Sequence, residues 1–243
     1  MAAIGILGGM GPQASAHLIH LLVQDAPKHI TINSDTDFPE IVLLSVPVPN
    51  FIESKKNLIP AKNILLDRTI RLEKMGCTVI GIACNTAHLF LADLQSVTKV
   101  PILSIPVLVS QKIQQLGYAR IGLLASPNTL SSTLFDDALP GGVELVRPNA
   151  EMARRIEEFI FDELRGVNSS ANRAALKQLI HDFRSDNDLE GVILGCTELP
   201  LILGPSDDPS VINTLGTLSE GLLGHFLADS KHFITRLQND LLK

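Results

Sequence analysis

The 243-residue sequence has no tryptophan and a single tyrosine, and its formal net charge is −6. Nucleic-acid binding draws on basic surfaces and on aromatic rings that stack on bases. With both in short supply, a nucleic-acid partner is not expected. Long apolar runs are also missing: none approaches the roughly 18 residues of a membrane helix, so no membrane partner is expected. The opening MAAIGILGGMGPQ has no cationic segment ahead of its apolar residues, and GGMGP breaks the run too early for a signal peptide. A cytoplasmic location is the expectation. Cysteine is scarce and odd in number, three in all with no CxxC spacing, which argues against a disulfide framework or structural zinc and leaves free thiols. No spacing resembles a metal site and no lysine is marked out as a pyridoxal-phosphate carrier. No cofactor is expected.

What is present is alternation. The apolar runs 4–7, 41–46, 78–83 and 101–105 read as buried strands, and the segments 12–26, 59–76 and 107–117 have helical period. Strands alternating with helices predict parallel βαβ units, covered on both faces. The plan then starts again. RIGLLASPNTLSS (120–132) repeats AIGILGGMGPQAS (3–15), and GVILGCTELP (191–200) repeats VIGIACNTAH (79–88). Cys84 and Cys196 lie 112 residues apart, and the strand starts Ile4 and Ile121 lie 117 apart. The expected fold is α/β: two similar lobes, each a small parallel sheet flanked by helices, with a cleft between them. The first lobe would comprise residues 1–106 plus 211–243 and the second 107–210, with helices over 152–166 and 172–186.

In open α/β sheets ligands bind beyond the carboxyl ends of the strands. Cys84 and Cys196 both stand at such ends, where the N-terminus of a following helix favours thiolate. Either cysteine alone reads more simply as a small packed residue. The pair, in matching places of a repeated unit, reads as a general acid and a general base on opposite sides of one carbon. Cys77, at a helix-to-strand junction, is left structural. GGMGPQAS offers glycines for a tight turn with close backbone approach and a proline at a helix start. It also matches the G-x-G-x-x-G/A dinucleotide fingerprint, although the next strand ends without the acidic residue which that fold uses. His88, four residues after Cys84, either tunes the thiol or is a satisfied structural histidine. The charged pairs in MARRIEEF read as a solvated helix face.

Taken together, GILGGMGPQAS, CNTAH and GCTE resemble the aspartate/glutamate racemase family, in particular its aspartate racemase branch, in the right order along nearly the whole chain. The resemblance implies cofactor-independent racemisation of an amino acid, aspartate or glutamate, by two cysteines, and a homodimer. Carried over by position, Cys84 and Cys196 are the acid/base thiols. Asn85, Thr86 and Thr197 hold the α-carboxylate and amine, and Met10 and Gly11 line the cleft. Glu198 orients the second thiol or holds the ammonium, and Thr129 touches substrate. Phe51 stands near the place where the branch carries a side-chain-binding arginine, with Lys55, Lys56 or Arg165 as substitutes. Two other readings of the residues stay open: a two-lobed protein that binds an amino acid or small anion without turnover, and a dinucleotide-dependent oxidoreductase.

Overall fold

A computed structural model describes residues 2–51, 54–167, 170–206 and 208–241, with the backbone alone for Lys55 and residues 229–241. The first sheet contains β1 (Ala3–Gly8), β2 (Glu40–Ser45), β3 (Cys77–Ile82) and β4 (Ile102–Leu103), in the order β2-β1-β3-β4. The second contains β5 (Arg120–Ala125), β6 (Glu144–Val146), β7 (Gly191–Gly195) and β8 (Val211–Asn213), in the order β6-β5-β7-β8. All pairings are parallel. The two sheets thus repeat one topology, as the duplicated sequence pattern predicts. Strand β1 is buried at every position, and so is β7, which is why both read as unbroken apolar runs.

Helices α1 (Pro12–His29), α2 (Leu58–Lys74), α3 (Leu91–Ser96) and α4 (Ile105–Leu116) accompany the first four strands. They are followed by α5 (Pro127–Leu130), α6 (Ala150–Leu164), α7 (Ser170–Asp186), α8 (Leu199–Leu203) and α9 (Thr214–Leu241). Local signals set several ends. Pro12 and Pro127 open α1 and α5 at positions where a missing N–H costs nothing, and Ser104 caps α4 by accepting from the Val107 N–H. Gly117 stops α4 in the left-handed conformation, φ 72°. One apolar cluster joins Ile4 and Ile6 of the first sheet to Ile121, Leu123 and Ile193 of the second through side chains of α1, α4 and α9. Separate clusters lie under α2 and under α6 and α7.

Two boundaries move. The strand expected over 101–105 is only Ile102–Leu103, because Ser104 already caps a helix, so residue 106 lies inside α4. The chain's return was expected at 211, but Val211–Asn213 pairs with β7 as the edge of the second sheet. Helix α9, from Thr214, then packs on α1, α4 and β3 as well as on β7 and β8. Among the described residues no helix is long and apolar enough to cross a membrane.

Candidate active site

The carboxyl ends of β1, β3, β5 and β7 meet where the two sheets face each other. After β1 the chain turns at Gly9 with φ 95°, and a Cβ there would stand 2.2 Å from the Val46 nitrogen. Only glycine fits so close to backbone. Ser15 Oγ ties the turn down, accepting from the Gly9 N–H at 2.9 Å and donating to the Gly11 carbonyl at 3.0 Å. The Gly11 N–H is thereby aimed across the molecule at Glu198 Oε1, 3.2 Å away. A dinucleotide phosphate would need that N–H for itself.

Cys84 follows β3 and leads into a short 3-10 turn, Thr86–Phe90. Its sulfur receives hydrogen bonds from the backbone N–H groups of Thr86 and Ala87 and from the Thr86 side chain. His88 is the satisfied residue of the two readings: Nδ1 bonds the Cys84 carbonyl at 2.9 Å, and Nε2 accepts from the Ile105 N–H at 3.1 Å. That pairing fixes a neutral ring with its proton on Nδ1. Burial also holds the His88 pKa below its ordinary 6.5. His88 therefore holds the backbone that carries the thiol and does not touch the sulfur.

Cys196 follows β7. Its thiol donates to Glu198 Oε2 at 3.0 Å, and the Thr197 hydroxyl donates to the same oxygen at 3.1 Å. Both sulfurs are buried, with 3% and 5% of their residues exposed. The sequence led us to expect helix termini that favour thiolate. Instead burial, and then the Glu198 carboxylate, push Cys84 up to about 12 and Cys196 well above its ordinary value. The reason is local: the segments after the cysteines are a five-residue 3-10 turn and the five-residue α8, too short for an appreciable dipole. Desolvation dominates. Cys84 adds a smaller upward push on Cys196, and the carboxylate beside Cys196 acts on Cys84.

Polar bonds cross from one half to the other. Thr86 Oγ1 lies 3.0 Å from both Ser126 Oγ and Thr129 Oγ1. Asn85 Nδ2 donates to Thr214 Oγ1 at 3.0 Å, and that hydroxyl donates to the Leu194 carbonyl at 2.9 Å. Asn85 Oδ1 is buried without a hydrogen-bond partner, an acceptor left for something the protein does not supply. Asn128 Nδ2 donates to the Phe51 carbonyl at 2.6 Å. Met10, Gly11, Asn85, Thr86, Thr129, Thr197 and Glu198 are therefore gathered with the thiols. Arg165 is not: it is the exposed C-cap of α6, with its guanidinium 5.8 Å from the Phe161 ring centre. Lys56 is exposed, and the Lys55 side chain lies outside the described residues.

The model of the family described as Asp/Glu/Hydantoin racemase matches residues 7–217. The chain belongs to the Asp/Glu/hydantoin racemase family. It is 25% identical over 229 residues to the broad specificity amino-acid racemase RacX of Bacillus subtilis, covering 93% of this chain and 98% of that one. A solved structure of an aspartate racemase homologue from Pyrococcus horikoshii is 28% identical, with a TM-score of 0.77 over 93% of this chain and 99% of its own. The Picrophilus torridus aspartate racemase is 25% identical, with a TM-score of 0.78 over 93% and 94%. As a member of this family the chain is an isomerase, an amino-acid racemase.

Several participants were missed in the sequence. Glu163 is buried, its Oε2 lacks a partner, and burial and then Glu198 raise its pKa. It had a signal: it continues the buried stripe Ile156, Phe159, Ile160 at helical spacing, an acid where an apolar residue belongs. Ser126, Asn128 and Thr214 had none, since each acts through a partner distant in sequence. The solvated face expected in MARRIEEF is there, with Glu158 bridging Arg154 and Arg155.

Proposed function

We propose that this racemase inverts the α-carbon of a free amino acid by proton transfer between Cys84 and Cys196, without a cofactor. The observation that carries the reading is the placement of two buried thiols at equivalent strand ends, flanked by polar groups that hydrogen-bond from one half to the other. Glu198 accepts the Cys196 proton along the existing 3.0 Å hydrogen bond, leaving a thiolate. That thiolate removes the α-hydrogen from one face of the substrate, and the Cys84 thiol returns its own proton to the other face. In the reverse direction the two sulfurs exchange roles. The N–H groups around Cys84 then serve the thiolate it becomes.

The substrate zwitterion fits the unpaired groups. On binding, before the Cys196 proton moves, its ammonium donates to Asn85 Oδ1 and to the Glu198 carboxylate, and the hydroxyls of Thr86, Thr129 and Thr197 face its carboxylate. A bound ammonium also offsets the negative charge that keeps the thiols protonated.

The test is a panel of L-amino acids, aspartate and glutamate among them, incubated in D2O without added cofactor. Deuterium at the α-carbon together with D-isomer is expected, and Cys84→Ser or Cys196→Ser should abolish racemisation while circular dichroism is unchanged. Full activity in either variant would remove the two-thiol mechanism.

A further inference from the structure

The remaining question about this site is where the substrate's side chain goes. A pocket of about 210 Å³ opens beside the Met10–Gly11 turn, walled by Met10, Gly11, Val48, Pro49, Phe51 and Leu164. Its other walls are glycine, proline and the amide residue Asn50, so among the described residues no charged side chain lines it. Its walls are tied to the reacting groups by hydrogen bonds and packing. Gly11 donates to Glu198, whose other carboxylate oxygen accepts the Cys196 thiol, and Met10 and Phe51 share an apolar cluster with Cys84.

Phe51 is fixed as a wall. It is 1% exposed, its ring packs 5.6 Å from that of Phe90, and its carbonyl is held by Asn128 from the other half. A carboxylate pushed into this pocket would lose its hydration and gain no cation. Its charged surroundings would be unfavourable as well, since Cys84, Cys196 and Glu163 all feel the negative charge of Glu198. Arg165, the nearest expected cation in sequence, points its guanidinium at Phe161 on the surface.

We infer that the pocket beside Gly11 is the side-chain subsite and that it selects uncharged, apolar amino acids such as leucine and methionine over aspartate and glutamate. The inference rests on the racemase reading, because it takes the α-carbon to lie between the thiols. The volume equals about seven waters' share of the liquid, room for a side chain of roughly four to seven heavy atoms. Alanine leaves most of it empty. Since one methylene in an apolar pocket is worth about 10-fold or more in kcat/KM, leucine and methionine are expected to exceed alanine by at least about tenfold.

The experiment measures kcat/KM for leucine, methionine, alanine, aspartate and glutamate by α-deuterium exchange, and in parallel their binding to the Cys84→Ser variant by calorimetry. Leucine and methionine should lead in both assays, with the acidic pair at least tenfold lower. Val48 is half-buried on the pocket wall, and Val48→Lys should reverse that order in a folded protein. Aspartate or glutamate leading in the unaltered protein would overturn the inference, as would an order indifferent to Val48→Lys. If no amino acid exchanges, the racemase reading fails, and the binding series still decides the pocket: tighter acidic ligands, or no ligand bound, would overturn it.

Discussion

Alkaline unfolding offers a direct measure of how the fold treats its thiols, and Cys84 accounts for a defined share. In the unfolded chain this thiol ionises at its ordinary 9.0, whereas burial, and then the Glu198 carboxylate, push it up to about 12 in the folded protein. Between those values the unfolded chain has released a proton that the folded chain still holds. The stabilisation is therefore fully present below pH 9 and is lost as pH rises toward 12, by about 1.4 kcal/mol per pH unit for one thiol. At pH 10.5 the loss from Cys84 reaches about 2 kcal/mol, a sizeable part of the roughly 5–15 kcal/mol that holds a domain together. Cys77, pushed up to about 11 by burial and then Glu40, adds a parallel loss, so the comparison is with Cys84→Ser. Urea unfolding at intervals from pH 8 to 10.5 should show the unaltered protein losing about 2 kcal/mol more than this variant. Parallel curves would refute the claim that Cys84 is held as a buried neutral thiol.

Two further predictions concern the groups around the sulfurs. Glu198→Gln removes the negative charge that, after burial, raises the two thiols, so Cys84 and Cys196 should react faster with iodoacetamide at pH 8; an unchanged rate would contradict that contribution from Glu198. His88→Ala strands the Ile105 N–H and the Cys84 carbonyl, which should cost about 2–5 kcal/mol in urea unfolding. Because burial lowers the His88 pKa, its neutral ring stabilises above pH 6.5 and that stability falls as pH drops below it; the variant should lose this acid limb.

Much of the fold was legible because its signals are local. Buried parallel strands leave uniform apolar runs, and a duplicated chain writes the same turn twice, so the two sheets and both thiols could be placed by repetition alone. What failed was set by distance. Ser104 shortened a strand by capping a helix early, and β8 was misassigned because a three-residue edge strand carries almost no pattern of its own. The ionisation of the thiols was misjudged because desolvation depends on the closed fold around them, whereas a helix start is visible in sequence. Arg165 was carried over from the family resemblance as a substitute cation, and in the structure it is exposed at the end of α6, beside the Phe161 ring. Glu163 was the opposite case, readable from its spacing and overlooked.

The two sulfurs have unequal company: Cys196 faces a carboxylate, while Cys84 is met by two backbone N–H groups and a threonine hydroxyl. Mirror-image amino acids have equal free energy, so no catalyst can favour one at equilibrium, and kcat/KM must come out the same for both. The unevenness has one outlet, which is how each enantiomer divides that shared efficiency. Whichever hand turns over faster must half-saturate the protein at a concentration higher by the same factor.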